Sequence, residues 1–325
     1  MEAIRYWNRE RETITRDALA ALQLAGLRQA VTQALKTPVY RRKLSQSGLR
    51  SAEDIRSLEP PMKIGLLASV NGAGQPHITL LSSLMASSPT QVAFGQFTEG
   101  QSKQHILTHP KAGFLVMSLD RHLWRGKATF THTARSGKDY DYYNNTPMFR
   151  YNAYFGVHTV YYLELVEHTG RAALPMNSII VAALQSAAAR RLAGRPDSAV
   201  VLNHWTRGFL NKLDNLKFLA YVGGDGYPVL IPAIQAQCLD AHRILFSTSV
   251  YTPELEAIPA GASLAVYGMA LTMEDVLLRG TFEGIRRVGG VRAGVVAIDW
   301  IYNSMPPVPG QIYPPVAIRP VTDFS

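Results

Sequence analysis

Ala68-Ser-Val-Asn-Gly-Ala-Gly74-Gln-Pro76 and Ala220-Tyr-Val-Gly-Gly-Asp-Gly226-Tyr-Pro228 are the two stretches on which the reading of this chain turns. In each, an apolar run ends in a glycine turn and resumes at a proline, the pattern of a β-hairpin. They lie at an offset of 152 residues (220 less 68), which also carries Leu67 onto Leu219 and Val92-Ala-Phe94 onto Ile244-Leu-Phe246. Residues 67–94 therefore realign on 219–246 without a gap. Unrelated β-rich domains share strand chemistry, but they have no reason to keep both glycine–proline turns in register, so the match reads as an internal repeat. Further along, 111–116 is expected to face 261–266, Arg125-Gly126 to face Arg279-Gly280, and 159–164 to face 295–300. One six-strand unit is used twice.

Outward from the repeat, strands are expected over 63–70, 75–83, 91–97, 111–118, 123–131 and 157–166. A short helix over 99–109 is ended by Pro110, and a polar, tyrosine-rich stretch fills 138–154. An alanine-rich helix over 177–193 separates the copies. At the start, Thr15-Arg-Asp17 signals a helix in which Leu19, Leu22, Leu24, Leu27, Val31 and Leu35 recur at near-helical spacing until Pro38, with a second short helix following. The tail, with Pro306, Pro307, Pro309, Pro314, Pro315 and Pro320, reads as an extended arm without a regular element.

Composition narrows the function. Of 325 residues 47% are hydrophobic, which excludes a mainly disordered chain. The single cysteine, Cys238, forms no intrachain disulfide and supplies no multi-cysteine metal site. No apolar run reaches the ~20 residues that span a bilayer, and the charged start has no signal-peptide core, so a cytoplasmic protein with no membrane partner is expected. The net charge is +9, and residues 1–58 hold 11 Lys/Arg against 6 Asp/Glu. A basic excess suits nucleic acid, anionic lipid or phosphorylated ligands, or is a solvated helix face; no zinc-finger, RNP or basic-helix pattern supports nucleic acid. The histidines lack H-E-x-x-H spacing, and His105 with His109 lacks a third ligand, so no metal is expected. The glycine pairs sit in hairpin turns and not before helices, which removes a Rossmann reading.

The chemistry concentrates in Phe94-Gly-Gln96-Phe-Thr98-Glu-Gly-Gln101-Ser102-Lys103. A strand delivers Thr98, and a loop then sets Ser102-Lys103 at the start of a helix. Helix N-terminal N–H groups favour a phosphate, a serine donates to it and a lysine adds charge; simple capping with a surface lysine is the competing reading.

This order of elements resembles the flavin-binding split barrels related to pyridoxamine 5′-phosphate oxidase, well over 62–170 and as a degenerate copy over 215–302. Thr98…Ser102-Lys103 matches that family's T-x-x-x-S-[RK] segment. The resemblance implies FMN, with its phosphate near Gln101, Ser102 and Lys103 and its ring along Thr79, Leu80, Leu81 and Ser82, with Gln96 and Trp124 nearby. His77 stands on the ring-lining strand where the family often has an arginine. In the second copy Glu254 and Glu256 replace the Ser-Lys element, so one flavin site per chain is expected. Tyr6-Trp7-Asn8, Tyr40-Arg41-Arg42-Lys43-Leu44 and Asp54-Ile55-Arg56 resemble the opening segment of phenylacetate–CoA ligases, without the phosphate loop a ligase needs.

The fold class expected is β-dominated α+β: two tandem split β-barrels forming an intrachain pseudo-dimer after a helical N-terminal arm. The domains are 1–58 (arm), 59–172 (FMN-binding barrel), 173–204 (helical linker) and 205–325 (degenerate barrel with its proline-rich tail). The expected function is an FMN-dependent oxidoreductase acting on a small aromatic molecule, with NAD(P)H as reductant and a homodimer as a further option. The alternative is a non-catalytic protein that sequesters flavin or haem. Catalytic residues are not legible.

Overall fold

The computed structural model describes residues 15–35, 63–97, 100–145, 156–193, 200–272, 274–303 and 310–317. Helix α1 (Arg16–Leu35) begins where the sequence signals it, with the Thr15 hydroxyl accepting from the Ala18 N–H at 3.4 Å. The second short helix and most residues of the ligase-like arm lie outside the described residues.

Two antiparallel sheets follow. In the first, β1 (Lys63–Val70) and β2 (Pro76–Leu80) form the hairpin read from the sequence. The Asn71 side-chain oxygen accepts from the N–H groups of Ala73 and Gln75, and Gly74 takes φ +76°, a conformation a Cβ would strain. Next come β3 (Met85–Ser88), β4 (Gln91–Gln96), helix α2 (Gln101–Thr108), β5 (Lys111–Ser118) and β6 (His122–Ala134). Helix α3 (Lys138–Asn145), β7 (Thr159–His168) and the short β8 (Ala172–Ala173) complete this half. The sheet order is β2-β1-β5-β6-β7-β4-β3, so β2 is an edge strand and Pro76 leaves no ladder bond unmade.

Helices α4 (Met176–Ala193) and α5 (His204–Asn211) lead into the second sheet. It comprises β9 (Leu216–Val222), β10 (Pro228–Pro232), β11 (Gln237–Cys238), β12 (Arg243–Ser247), helix α6 (Thr252–Glu256), β13 (Ser263–Met269), β14 (Asp275–Val288) and β15 (Val291–Asn303). Its order, β10-β9-β13-β14-β15-β12-β11, is that of the first sheet. A last strand, β16 (Gly310–Tyr313), pairs with β15. The tail thus carries a regular element, contrary to the sequence expectation: residues 310–313 fall between prolines and keep their N–H groups.

The registers agree as closely as the order. Leu67 pairs with Thr79 and Phe114 in the first sheet, and Leu219 with Ile231 and Val266 in the second. The ladder between the two long strands breaks at Lys127/Ala128 and Phe130/His132, and again at Arg279/Gly280 and Phe282/Gly284, each 152 residues on. Three expected equivalences are corrected by these pairings. Lys111 corresponds to Ser263 and not Gly261; Arg279 corresponds to Lys127 and not Arg125; Leu163 corresponds to Val296. The Lys111 and Arg279 matches were each displaced by two residues, a shift that leaves the same face of a strand apolar, whereas the 159–164 match was displaced by three (299 less 296). The offset holds to the end of β6 and then falls to 133 (296 less 163). The shortening lies between the long strands: α3 occupies that connection in the first half, whereas Gly289-Gly290, with φ +54° and +82°, closes it in the second.

The sheets pack against each other through one shared core. From the first come Ile64, Leu66, Ala68, Ile78, Leu115, Met117 and Leu123; from the second Phe218, Ala220, Leu230, Tyr267, Leu277 and Tyr302. The backbones approach closely enough that a Cβ on Gly113 would lie 2.3 Å from the Pro228 carbonyl oxygen. Polar contacts cross the same boundary: the Lys111 ammonium donates to the Asp225 carbonyl at 2.6 Å, and the Thr129 and Tyr227 hydroxyls meet at 2.7 Å.

Candidate functional site at the junction of the two sheets

Gly100 is the N-cap of helix α2, its backbone extended and no side chain bonding the cap. Ser102, in the first turn, is therefore not a capping residue. It is buried, and its hydroxyl is hydrogen-bonded to that of Thr79 on β2. This contact joins the helix N-terminus to the edge strand, two segments the sequence assigned to one ligand. Further along α2, His105 Nδ1 lies 3.1 Å from the Ser69 hydroxyl on β1. His77, next but one to Thr79 on the same face of β2, meets the His105 ring edge-on with centroids 5.2 Å apart.

The second sheet closes this group. Tyr302 approaches His77 edge-on at 5.7 Å, and Trp300 lies stacked on Tyr302 at 5.3 Å with planes 8° apart. The Arg279 guanidinium lies over the Trp300 ring, 4.1 Å from its centroid. Arg279 is 9% exposed and its Nε makes no hydrogen bond; His77 is 2% exposed and its Nδ1 likewise has no partner. Burying such atoms is costly unless something binds them.

Electrostatics follow from this geometry. Burial, with help from His105 and Arg279, lowers the pKa of His77 to about 3, so its ring is neutral at physiological pH. His105 is lowered by burial, then by Arg279 and His109. Burial also pulls Arg279 below its ordinary value, with Asp299 acting in the opposite sense. The site is thus rich in donors and carries positive charge next to neutral imidazoles.

The other expected residues fall in different places. Gln101 opens α2 and, like Lys103, is half-buried. Leu80 packs into the core shared by the sheets, and Leu81 into the first sheet's own cluster, its N–H donating to the Gly65 carbonyl at 2.7 Å. Ser82 is exposed; its neighbour Ser83 is the buried serine, bonded to both backbone groups of Gly95. Gln96 is turned to Tyr161, whose hydroxyl donates to its Oε1 at 2.9 Å. Trp124 is buried opposite Val116 in the β5–β6 pair. Thr98 lies outside the described residues. Sequence reasoning missed Ser69, Arg279, Trp300 and Tyr302. The signal for Arg279 was present in the repeat and was obscured by the two-residue slip. Cys238 is buried, and burial pushes its thiol up to about 12, which keeps it protonated.

Comparison with protein-family models and with curated protein sequences found no match. Solved structures to which the chain is similar include an FMN-binding protein from Syntrophomonas wolfei subsp. wolfei (14% identity, 45% of this chain and 97% of that one, TM-score 0.32). An FAD-binding protein from Mesorhizobium loti is 14% identical over 38% of this chain and 94% of that one, with a TM-score of 0.29. A putative pyridoxamine 5′-phosphate oxidase from Lactobacillus delbrueckii is 19% identical over 33% and 84%, with a TM-score of 0.26. At these scores the fold rests on the strand order and registers above. Among the described residues, no helix is long and apolar enough to cross a membrane.

Proposed function

We propose that the chain is an FMN-dependent oxidoreductase in which one split-barrel unit, duplicated in tandem, forms an intrachain pseudo-dimer and holds a single flavin where its halves meet. The observation that carries this reading is the hydroxyl pair of half-buried Thr79 and buried Ser102 at the N-terminus of α2, beside the partnerless Nε of Arg279 and Nδ1 of His77. Those groups fit a phosphorylated, hydrogen-bonding ligand: each hydroxyl can turn to donate to an oxyanion, and the first-turn N–H groups of α2 add their dipole. The flat Trp300–Tyr302 stack suits a planar ring.

A bound flavin supplies reversible electron transfer. The chain's own residues position it and keep water out. Neutral His77 accepts or donates one hydrogen bond without adding charge, and the core shared by the sheets excludes solvent from the inner wall. The substrate is a small aromatic molecule, and NAD(P)H is the reductant. The absorption spectrum and bound-ligand mass of the purified protein test the reading. Flavin bands and one FMN are expected; colourless protein that fails to take up added FMN would overturn it, and a Soret band would replace it with haem sequestration.

A further inference from the structure

The repeat allows each residue at the junction to be compared with its counterpart across the pseudo-symmetry, and the comparison singles out Arg279. Its counterpart is Lys127, since Gly113 pairs with Lys127 as Ala265 pairs with Arg279. Lys127 is doubly neutralised, by Glu167 at 2.7 Å on its own sheet and by Asp225 at 2.8 Å from the other half. At the equivalent places around Arg279, Trp300 stands for Glu167 and Ala73 for Asp225. The helix position repeats the contrast: Glu254 on α6, bound to Arg125 at 2.6 Å, corresponds to Ser102. One junction contains two cations and three carboxylates in contact. At the other all three carboxylate positions hold uncharged residues, Leu277 stands at the place of Arg125, and Arg279 is the cation that remains of the pair. Among the described residues no carboxylate lies within ion-pair distance of Arg279, and Asp299 acts on it only at longer range.

We propose that Arg279, supplied by the second half, binds an oxyanion of the ligand at the junction, in the role that protein carboxylates fill for Lys127 and Arg125 at the opposite junction. The geometry that holds it fits the role. Contact with the Trp300 ring holds the guanidinium in place, its Nε is orphaned, and a guanidinium presents its donors as a fork. The oxyanion is a phosphate or a carboxylate, from the flavin or from its substrate. This inference deepens the flavin reading, and the binding of a simple anion tests it separately.

The experiment compares wild type, Arg279→Met and Arg279→Lys, with circular dichroism confirming the fold. Inorganic phosphate, titrated into flavin-free protein and followed by thermal shift, is expected to stabilise the wild type and Arg279→Lys, and to leave Arg279→Met unmoved. FMN and riboflavin titrations then assign the source. If the flavin phosphate is bound, Arg279→Met weakens FMN roughly 10- to 100-fold and leaves riboflavin unchanged. If a substrate carboxylate is bound, FMN holds and benzoate binding to the flavin-loaded protein falls by a similar factor. Arg279→Met binding phosphate, FMN and benzoate as the wild type does would overturn the proposal. A wild type that responds to phosphate but binds no FMN would remove the flavin reading and leave the anion site standing.

Discussion

Glu254 holds in the second half the position Ser102 holds in the first, and its carboxylate reaches across the sheet boundary to the Arg125 guanidinium at 2.6 Å. Arg125 also donates to the Leu230 carbonyl at 3.1 Å and lies over the Tyr251 ring. One arginine of the first sheet thus binds three groups of the second. Glu256, the other acidic residue of α6, pairs with Arg292 at 2.9 Å. The acidic helix that replaces the Ser-Lys element is therefore engaged within the protein: Glu254 ties the second half to the first, and Glu256 is paired inside the second half.

Arg125→Met should accordingly destabilise the protein by about 2–3 kcal/mol, because it strands the partly buried Glu254 and the Leu230 carbonyl. Glu254→Gln, at a more exposed position, should cost about 1 kcal/mol. Urea unfolding measures both, and an Arg125→Met variant within 0.5 kcal/mol of wild type would show that the contact does not hold the halves.

Gly113→Ala tests the close approach of the sheets directly. Its Cβ would meet the Pro228 carbonyl, so β5 and β10 must separate, at a cost of about 2–4 kcal/mol. Gly72→Ala, which has open space around it, should stay within about 0.5 kcal/mol and serves as the control. Equal midpoints for the two variants would contradict the packing described.

The buried imidazole predicts an acid-sensitive fold. In the unfolded chain His77 titrates near its ordinary 6.5, and in the folded protein near 3. Between those values the unfolded state binds the extra proton, so stability from this group is present above pH 6.5 and is lost as the pH falls. The limiting slope is about 1.4 kcal/mol per pH unit. His77→Phe removes the titration, and the stability difference between wild type and variant should drift against the wild type from pH 6.5 downward. Parallel curves would mean that His77 is solvated.

The Thr79–Ser102 pair predicts a joint effect on ligand retention. Ser102→Ala with Thr79→Val should weaken FMN binding roughly 10- to 100-fold while circular dichroism stays unchanged. Fluorescence quenching measures it, and undiminished affinity would place the phosphate elsewhere.

Much of this architecture was legible beforehand. β1 and β5 follow the sequence reading residue for residue, because each is a continuous apolar run bounded by turn or proline signals. Helix α3 was not visible: Lys138–Asn145 is polar, and only Tyr143 is fully buried, its hydroxyl donating to the Ser83 carbonyl at 2.7 Å. The tetrapeptide β3 is too short for periodicity to register. At the junction, Ser102 and Thr79 could be read from two segments only 23 residues apart. Arg279, Trp300 and Tyr302 could not, since they lie about 200 residues away and join the site only through packing of the second half on the first. Charge bookkeeping at either glutamate of α6 likewise needed the arginines that meet them.

The most direct test of the central claim is the stoichiometry of FMN binding to the full chain by isothermal titration calorimetry. The asymmetry of the two junctions, one closed by Glu254, Glu167 and Asp225 and the other lined by Ser102, Thr79 and Arg279, predicts one equivalent per chain. Two equivalents, or no binding, would contradict it.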